Sequence, residues 1–337
     1  MKILFDPAPR TTDEILTDSD QQVFYNSFQV VEIDHQNRNA QYQEHLPETD
    51  ILISQQPMPV ERLTLAKNLK AIINVETNFL SNIDYDYCFN HGIHVLTPAS
   101  VFALPVAEIG LGMALSLARD IHTAHADFVN GTESWGLESN GRAELLSDSD
   151  IGIIGFGDLG QALLKLLQPF NATMRVYDPW LQAGYLQRFG VASVSLEELL
   201  RSSRLVFCVA AITSENEHLL NAETLGYMQN NAMLVLLSRA AIADFDALAD
   251  SAQSGRLRIA SDVFPQEPLA ANDRIRELPN FLLSAHRAGA LTGALHKIGK
   301  LMLEDLSQIK AGLPPMSCRA ASRETIGRLR SKPISKS

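Results

Sequence analysis

An apolar run, Ile151-Gly152-Ile153-Ile154, passes without a break into Gly155-Phe156-Gly157-Asp158-Leu159-Gly160, and an apolar helical stretch follows. In such a strand–turn–helix unit each glycine has its own task. The first lets the chain turn tightly, the second lets backbone approach a pyrophosphate, and the third lets the helix pack on the strand. The helix start offers N–H groups and the positive end of its dipole to an anion. Eighteen residues past Gly160, a second strand candidate, Met174–Tyr177, ends in Asp178-Pro179. A carboxylate there can accept hydrogen bonds from both hydroxyls of an adenosine ribose and repels a 2′-phosphate, which favours NAD over NADP. Asp178 also reads as a turn-forming Asp before proline. A methyltransferase that binds S-adenosylmethionine shows a similar turn and acid, so residues further along must decide.

Around this unit, short apolar runs alternate with helical stretches, the pattern of a parallel sheet covered by helices. In the first hundred residues strands are expected at Lys2–Phe5, Gln29–Ile33, Ile51–Ser54, Ala71–Val75 and His94–Leu96, with an apolar helical face on Leu63, Leu65, Ala66 and Leu69. A second series is expected at Ile151–Gly155, Met174–Tyr177, Leu205–Val209, Met233–Leu237, Ile259–Val263 and Phe281–Leu283, followed by a last helix from about Leu291 to Ala311. The fold class is therefore α/β, with doubly wound parallel sheets. The apolar stretch Val101–Ile121 is broken by Glu108 and Arg119 and reads as a buried helix, Pro105 fitting its first turn. Gly131–Ser149 reads as a connection, and the basic residues beyond Pro314 as a flexible tail.

With 337 residues, two domains are expected; 28 basic against 39 acidic residues leave a net charge of −11, which gives no general attraction to nucleic acid or acidic membranes. No run of ~18 apolar residues reads as a spanning helix, and the amino terminus is too short in apolar residues for a signal peptide. Three cysteines, Cys88, Cys208 and Cys318, are odd in number and widely spaced, which fits a reducing, cytoplasmic setting. His91 with His94, and His122 with His125, have a possible metal spacing but no accompanying carboxylate or cysteine set, so no metal is expected.

Three polar residues stand where strands of the second series end, the place where open α/β sheets put their sites. Arg239 follows Met233–Leu237 with Ser238 between them, Glu267 follows Asp262-Val263-Phe264, and His286 follows Phe281–Leu283. Singly, these read as a solvated charge, a loop acid and a structural histidine. Together, after a dinucleotide turn, they form the set that hydride chemistry needs. Reducing a 2-oxo acid takes a hydride at the carbonyl carbon and a proton at its oxygen, and an imidazole is the natural proton donor near neutral pH. The Glu267 carboxylate would stabilise the imidazolium and fix the ring, while the Arg239 guanidinium would hold the substrate carboxylate and polarise the carbonyl.

These motifs resemble those of the D-isomer-specific 2-hydroxyacid dehydrogenase family over nearly the whole chain. The resemblance rests on Asn82-Ile83-Asp84, Gly92-Ile93-His94-Val95, Val106-Ala107-Glu108, Arg239-Ala240-Ala241-Ile242, Asp262 through Pro268, and His286-Arg287-Ala288-Gly289. It implies Arg239, Glu267 and His286 as the catalytic trio. It also implies NAD held by Gly155, Gly157, Asp158, Leu159, Gly160, Asp178, Ser238, Asp262 and Gly289, with Asp262 on the nicotinamide carboxamide. Residues 1–98 and 288–337 would form a flavodoxin-like substrate domain, with a Rossmann domain, 99–287, inserted in it and the substrate in the cleft. A homodimer through the cofactor domain is implied, the helix from Val106 contributing to it. Some relatives of this fold serve instead as NAD(H)-responsive corepressors, which keeps a binding or regulatory protein as the alternative.

The chain also departs from the family pattern. The loop whose backbone binds the substrate carboxylate usually contains glycines; here it reads Asn74-Val75-Glu76-Thr77-Asn78-Phe79, so Val75, Glu76 and Thr77 take the substrate positions and Glu76 would repel an anion if it pointed inward. Ala240 replaces a glycine, Ala285 a proline, and Arg287 an apolar residue, for which a solvent-facing position is expected. None of these removes a reacting group; they bear on substrate identity, and the few basic residues of the amino-terminal half speak against a phosphorylated acid.

Overall fold

A computed structural model describes residues 1–76 and 78–330. Thr77, and Lys332 and Lys336 of the basic tail, lie outside the described residues. The chain divides into two compact units, Met1–Phe102 with Ala290–Ser337, and Ala103–Gly289.

In chain order the strands are β1 (Lys2–Asp6), β2 (Gln29–Glu32), β3 (Ile51–Ser54), β4 (Ala71–Ile73), β5 (His94–Thr97), β6 (Asp150–Ile154), β7 (Thr173–Tyr177), β8 (Ala192–Ser193), β9 (Leu205–Cys208), β10 (Ala232–Leu236), β11 (Leu257–Ser261), β12 (Phe281–Leu283) and β13 (Arg319–Ala320). The first unit holds a sheet ordered β13-β5-β4-β3-β1-β2, the second a sheet ordered β12-β11-β10-β9-β6-β7-β8. Every pairing is parallel except β13 on β5. Helices cover both faces, so β3, β4, β9, β10 and β11 are buried along their whole length. That is why these strands, apart from Arg258 in β11, read as mostly apolar runs and not as alternating ones.

In the second sheet the chain runs outward from β6 through β7 to β8, then crosses back to β9 and runs the other way to β12. The reversal between β6 and β9 is a topological switch point, and open sheets of this kind take their ligands at the carboxyl ends of the strands there.

Four expectations differ from the structure. Of the expected helical face on Leu63, Leu65, Ala66 and Leu69, only Leu63 lies in a helix, Val60–Leu63; beyond it Leu65, Ala66 and Leu69 close three-residue turns onto Arg62, Leu63 and Ala66, with Leu63, Ala66 and Leu69 buried and Leu65 exposed. The apolar stretch is a 3-10 turn at Ala99–Phe102 and a helix at Ala103–Ala118, then, past Asp120 at φ +50°, a second helix at Ile121–Asn130. Ala99–Ala118 is long and apolar enough to cross a membrane by length and composition, which its interruption by Glu108 masks; its Ala107, Ala114 and Leu117 pack among Ile151, Leu163 and Leu167 of the core. Arg258 lies inside β11, buried, with its guanidinium on Leu117 O at 2.8 Å, Asn231 O at 3.0 Å and the Glu144 carboxylate.

Finally, the segment after Pro314 is built in. The buried Asp305 carboxylate accepts from the N–H groups of Met316, Ser317 and Cys318 at 2.7–2.8 Å, which leads Arg319-Ala320 onto the edge strand β5. Arg323 then reaches Asn90 at 3.0 Å.

Candidate active site

The glycine turn leaves β6 at Gly155, whose φ of +89° no L side chain adopts without strain and where a Cβ would stand 2.5 Å from Ala210 Cα beyond β9. At Gly160 a Cβ would come within 2.5 Å of Gly155 O. Both glycines are thus demanded by the chain itself. Gly157 is not: a Cβ there meets nothing within 4 Å, and Gly157 is the N-cap of the helix Asp158–Leu167 with no side-chain cap. Open space over backbone at an uncapped helix start is the cradle an anionic pyrophosphate fits. Asp158 and Leu159 are half-buried in the first turn of this helix.

Asp178, just past β7, ties the turn in place. One carboxylate oxygen accepts from Phe156 N at 2.8 Å and the other from Trp180 N at 3.0 Å. It serves as turn former and loop anchor at once, and each oxygen keeps a second lone pair for a ribose hydroxyl.

Arg239, Glu267 and His286 all follow the carboxyl ends of adjacent strands, β10, β11 and β12. Arg239 is half-buried beyond the buried Ser238, and its Nη1 donates to Ser238 O at 2.7 Å. Glu267 is braced by Phe264 N, which donates to Oε1 at 2.9 Å, and its Oε2 meets His286 Nδ1 at 2.6 Å. Because a carboxylate only accepts, Nδ1 carries the proton in this contact, and Nε2 is the ring atom left to exchange one. The two side chains are 43% and 37% exposed, open enough to meet a ligand.

The backbone under the histidine is unusual. His286 has φ +46°, in the left-handed region that costs a non-glycine residue about 1–3 kcal/mol, and its N–H turns back onto Ser284 O at 3.1 Å. What holds it is Asp262, 1% exposed, whose two oxygens accept from Arg287 N at 3.1 Å and Ala288 N at 3.0 Å. Asp262 is therefore seen as the anchor of the histidine loop, a task that a reading of Asp262 as a nicotinamide contact does not include. Arg287 has an exposed side chain, and Gly289 is half-buried at the end of this unit.

In the first unit Val75 and Glu76 are buried, while Thr77 lies outside the described residues. Glu76 meets Arg10, with Arg10 Nε 2.6 Å from Oε1 and Nη2 3.4 Å from Oε2. Arg10, which sequence reasoning missed, stands 66 residues away and no local pattern announces it. Among the described residues no group of three His, Cys, Asp or Glu side chains is placed to hold a metal; His91 stacks on Tyr87 and His122 meets Ser116 Oγ.

Against known proteins, residues 111–288 match the family model described as D-isomer specific 2-hydroxyacid dehydrogenase, NAD binding domain. A phosphoglycerate oxidoreductase from Rhizobium etli is 45% identical, with a TM-score of 0.88 over 96% of this chain and 99% of that one. The hydroxypyruvate reductase of Thermotoga maritima is 29% identical over 77% of this chain and 85% of its own. The D-3-phosphoglycerate dehydrogenase of Methanocaldococcus jannaschii is 26% identical over 80% of this chain, which spans about half, 51%, of that longer protein.

Proposed function

The chain belongs to the D-isomer specific 2-hydroxyacid dehydrogenase family, and from that premise we propose that it interconverts a small 2-oxo acid and its D-2-hydroxy acid with NAD(H). The observation that carries this reading is the 2.6 Å contact between Glu267 Oε2 and His286 Nδ1, on a histidine whose backbone is held in a left-handed turn.

NAD(H), when bound, supplies or accepts the hydride. The rest falls to side chains of this chain. In reduction, His286 Nε2 delivers a proton to the carbonyl oxygen as the carbonyl carbon receives the hydride, so C=O becomes CH–OH and the imidazole is left neutral. Glu267 stabilises the imidazolium before transfer and fixes the ring so that Nε2 faces the reaction. Arg239 holds the substrate carboxylate by a fork of N–H donors and polarises the carbonyl. Gly155, Gly157, Asp158, Leu159 and Gly160 take the pyrophosphate, Asp178 the ribose hydroxyls, and Ser238, Asp262 and Gly289 the nicotinamide end. Val75, Glu76 and Thr77 are the substrate residues contributed by the first unit.

The protein acts as a cytoplasmic homodimer in this reading. Support comes from three cysteines that are buried and unpaired, and from apolar side chains left exposed in the second unit: Phe128, Val129, Trp135, Leu137 and Leu145, with the Phe128 and Trp135 rings 6.2 Å apart. Sedimentation of the purified protein at twice the monomer mass is expected.

NADH absorbance with glyoxylate, hydroxypyruvate, pyruvate and phenylpyruvate tests the activity. Turnover with at least one is expected. Tight NADH binding with turnover of none would instead favour an NAD(H)-responsive regulatory protein.

A further inference from the structure

We propose that Arg10 and Glu76 form a charge filter that sets the substrate class: a 2-oxo acid with one carboxylate and no second anionic group is accepted, and phosphorylated or dicarboxylic acids are turned away. The inference rests on the 2-oxo acid reading above and deepens it.

Arg10 stands on the loop after β1 and Glu76 on the loop after β4, both at the carboxyl edge of the first sheet, where open parallel sheets take ligands. The contact is built, not incidental. Glu76 N donates to Asn74 Oδ1 at 3.0 Å, Thr97 Oγ1 donates to Glu76 O, and Asn74 Nδ2 donates to Asn78 O at 2.7 Å. The Glu76 side chain is 2% exposed and that of Arg10 20%, so Arg10 is the member of the pair open to a ligand. Among the described residues Arg10 Nη1 has no hydrogen-bond partner.

A guanidinium locked against a buried carboxylate still has N–H groups to donate, but its charge is cancelled within the width of one side chain. A hydroxyl or a carbonyl gains a hydrogen bond from it. A second anionic group gains little net attraction and meets the Glu76 charge behind the guanidinium. Arg38 is cancelled in the same way: its Nε lies 2.9 Å from the fully buried Asp6 that ends β1. A phosphate finds no uncancelled partner in either of these cations.

The test compares kcat/KM for hydroxypyruvate with kcat/KM for 3-phosphohydroxypyruvate and oxaloacetate, in wild type, Glu76→Gln and the double variant Arg10→Gln/Glu76→Gln. Wild type is expected to prefer hydroxypyruvate. Glu76→Gln, which uncovers the Arg10 charge, is expected to raise the dianion-to-monoanion ratio about tenfold, chiefly through KM. The double variant, neutral again, is expected to return toward wild type. A wild-type preference for the dianions overturns the filter without any variant having to fold. So does an unchanged ratio in Glu76→Gln that still binds NADH. Failure of wild type to reduce any 2-oxo acid removes the parent reading as well, so the two failures are told apart.

Discussion

Each sheet of this protein carries, just beyond its strand ends, a glutamate pressed against a nitrogen base at 2.6 Å: Glu267 on His286 in the second unit, Glu76 on Arg10 in the first. The distances agree and the surroundings do not. Glu267 is 37% exposed and Glu76 2%. An exposed pair is well solvated, adds on the order of 1 kcal/mol or less to stability and can change protonation during a reaction. The buried Glu76 carboxylate has given up its hydration, so it depends on Arg10 and cannot lose that partner cheaply. One contact suits proton transfer, the other a fixed electrostatic boundary.

Truncating each base separates the two. His286→Ala is expected to lower turnover by about 10²–10⁴-fold with NADH binding kept, since it removes the proton donor and only a weak contribution to stability. Steady-state assays beside an NADH titration check it; turnover within a few-fold of wild type would mean that the His286–Glu267 contact is structural.

Arg10→Gln is expected to act in the opposite sense, on the fold. It strands a buried carboxylate, at a cost of about 3 kcal/mol, and the NADH affinity of the second unit is expected to stay unchanged. Thermal unfolding followed with and without NADH measures both. Restoration of the melting temperature in the double variant with Glu76→Gln would show that the stranded charge, and not lost packing, is the cause.

The same contrast governs what could be seen in the chain beforehand. The strand series is legible because buried parallel strands are runs of about three to five apolar residues, and the trio because each member follows its own strand within a few positions. Glu76 stands out in the sequence only as an odd acid in a glycine-poor loop, since its partner is 66 residues away and the pairing exists only after β1 and β4 share a sheet. The expected strand Ile259–Val263 leaves Arg258 outside for the same reason: a charge inside a buried strand is intelligible only with Leu117 O, Asn231 O and Glu144 around it. The two-residue strand β13 follows from Asp305, fully buried, drawing three backbone N–H groups to itself across a turn, and no apolar pattern marks that.

The smallest expected effects, at Gly160 and Gly157, carry the contrast between fold and function down to single methyl groups. In Gly160→Ala the new Cβ would sit 2.5 Å from Gly155 O, a backbone atom that cannot move aside alone. A loss of about 1–3 kcal/mol is expected, seen as a melting temperature lower by about 2–4 °C for each kcal/mol in a unit of this size. In Gly157→Ala the methyl meets nothing within 4 Å and φ is −73°, open to any residue, so stability is expected to change by no more than about 0.5 kcal/mol. Its NADH affinity is nonetheless expected to fall, because the methyl would occupy the space through which backbone approaches the pyrophosphate. Unchanged NADH binding in Gly157→Ala would place the phosphates away from this helix start, leaving Gly155 and Gly160 as requirements of the turn alone.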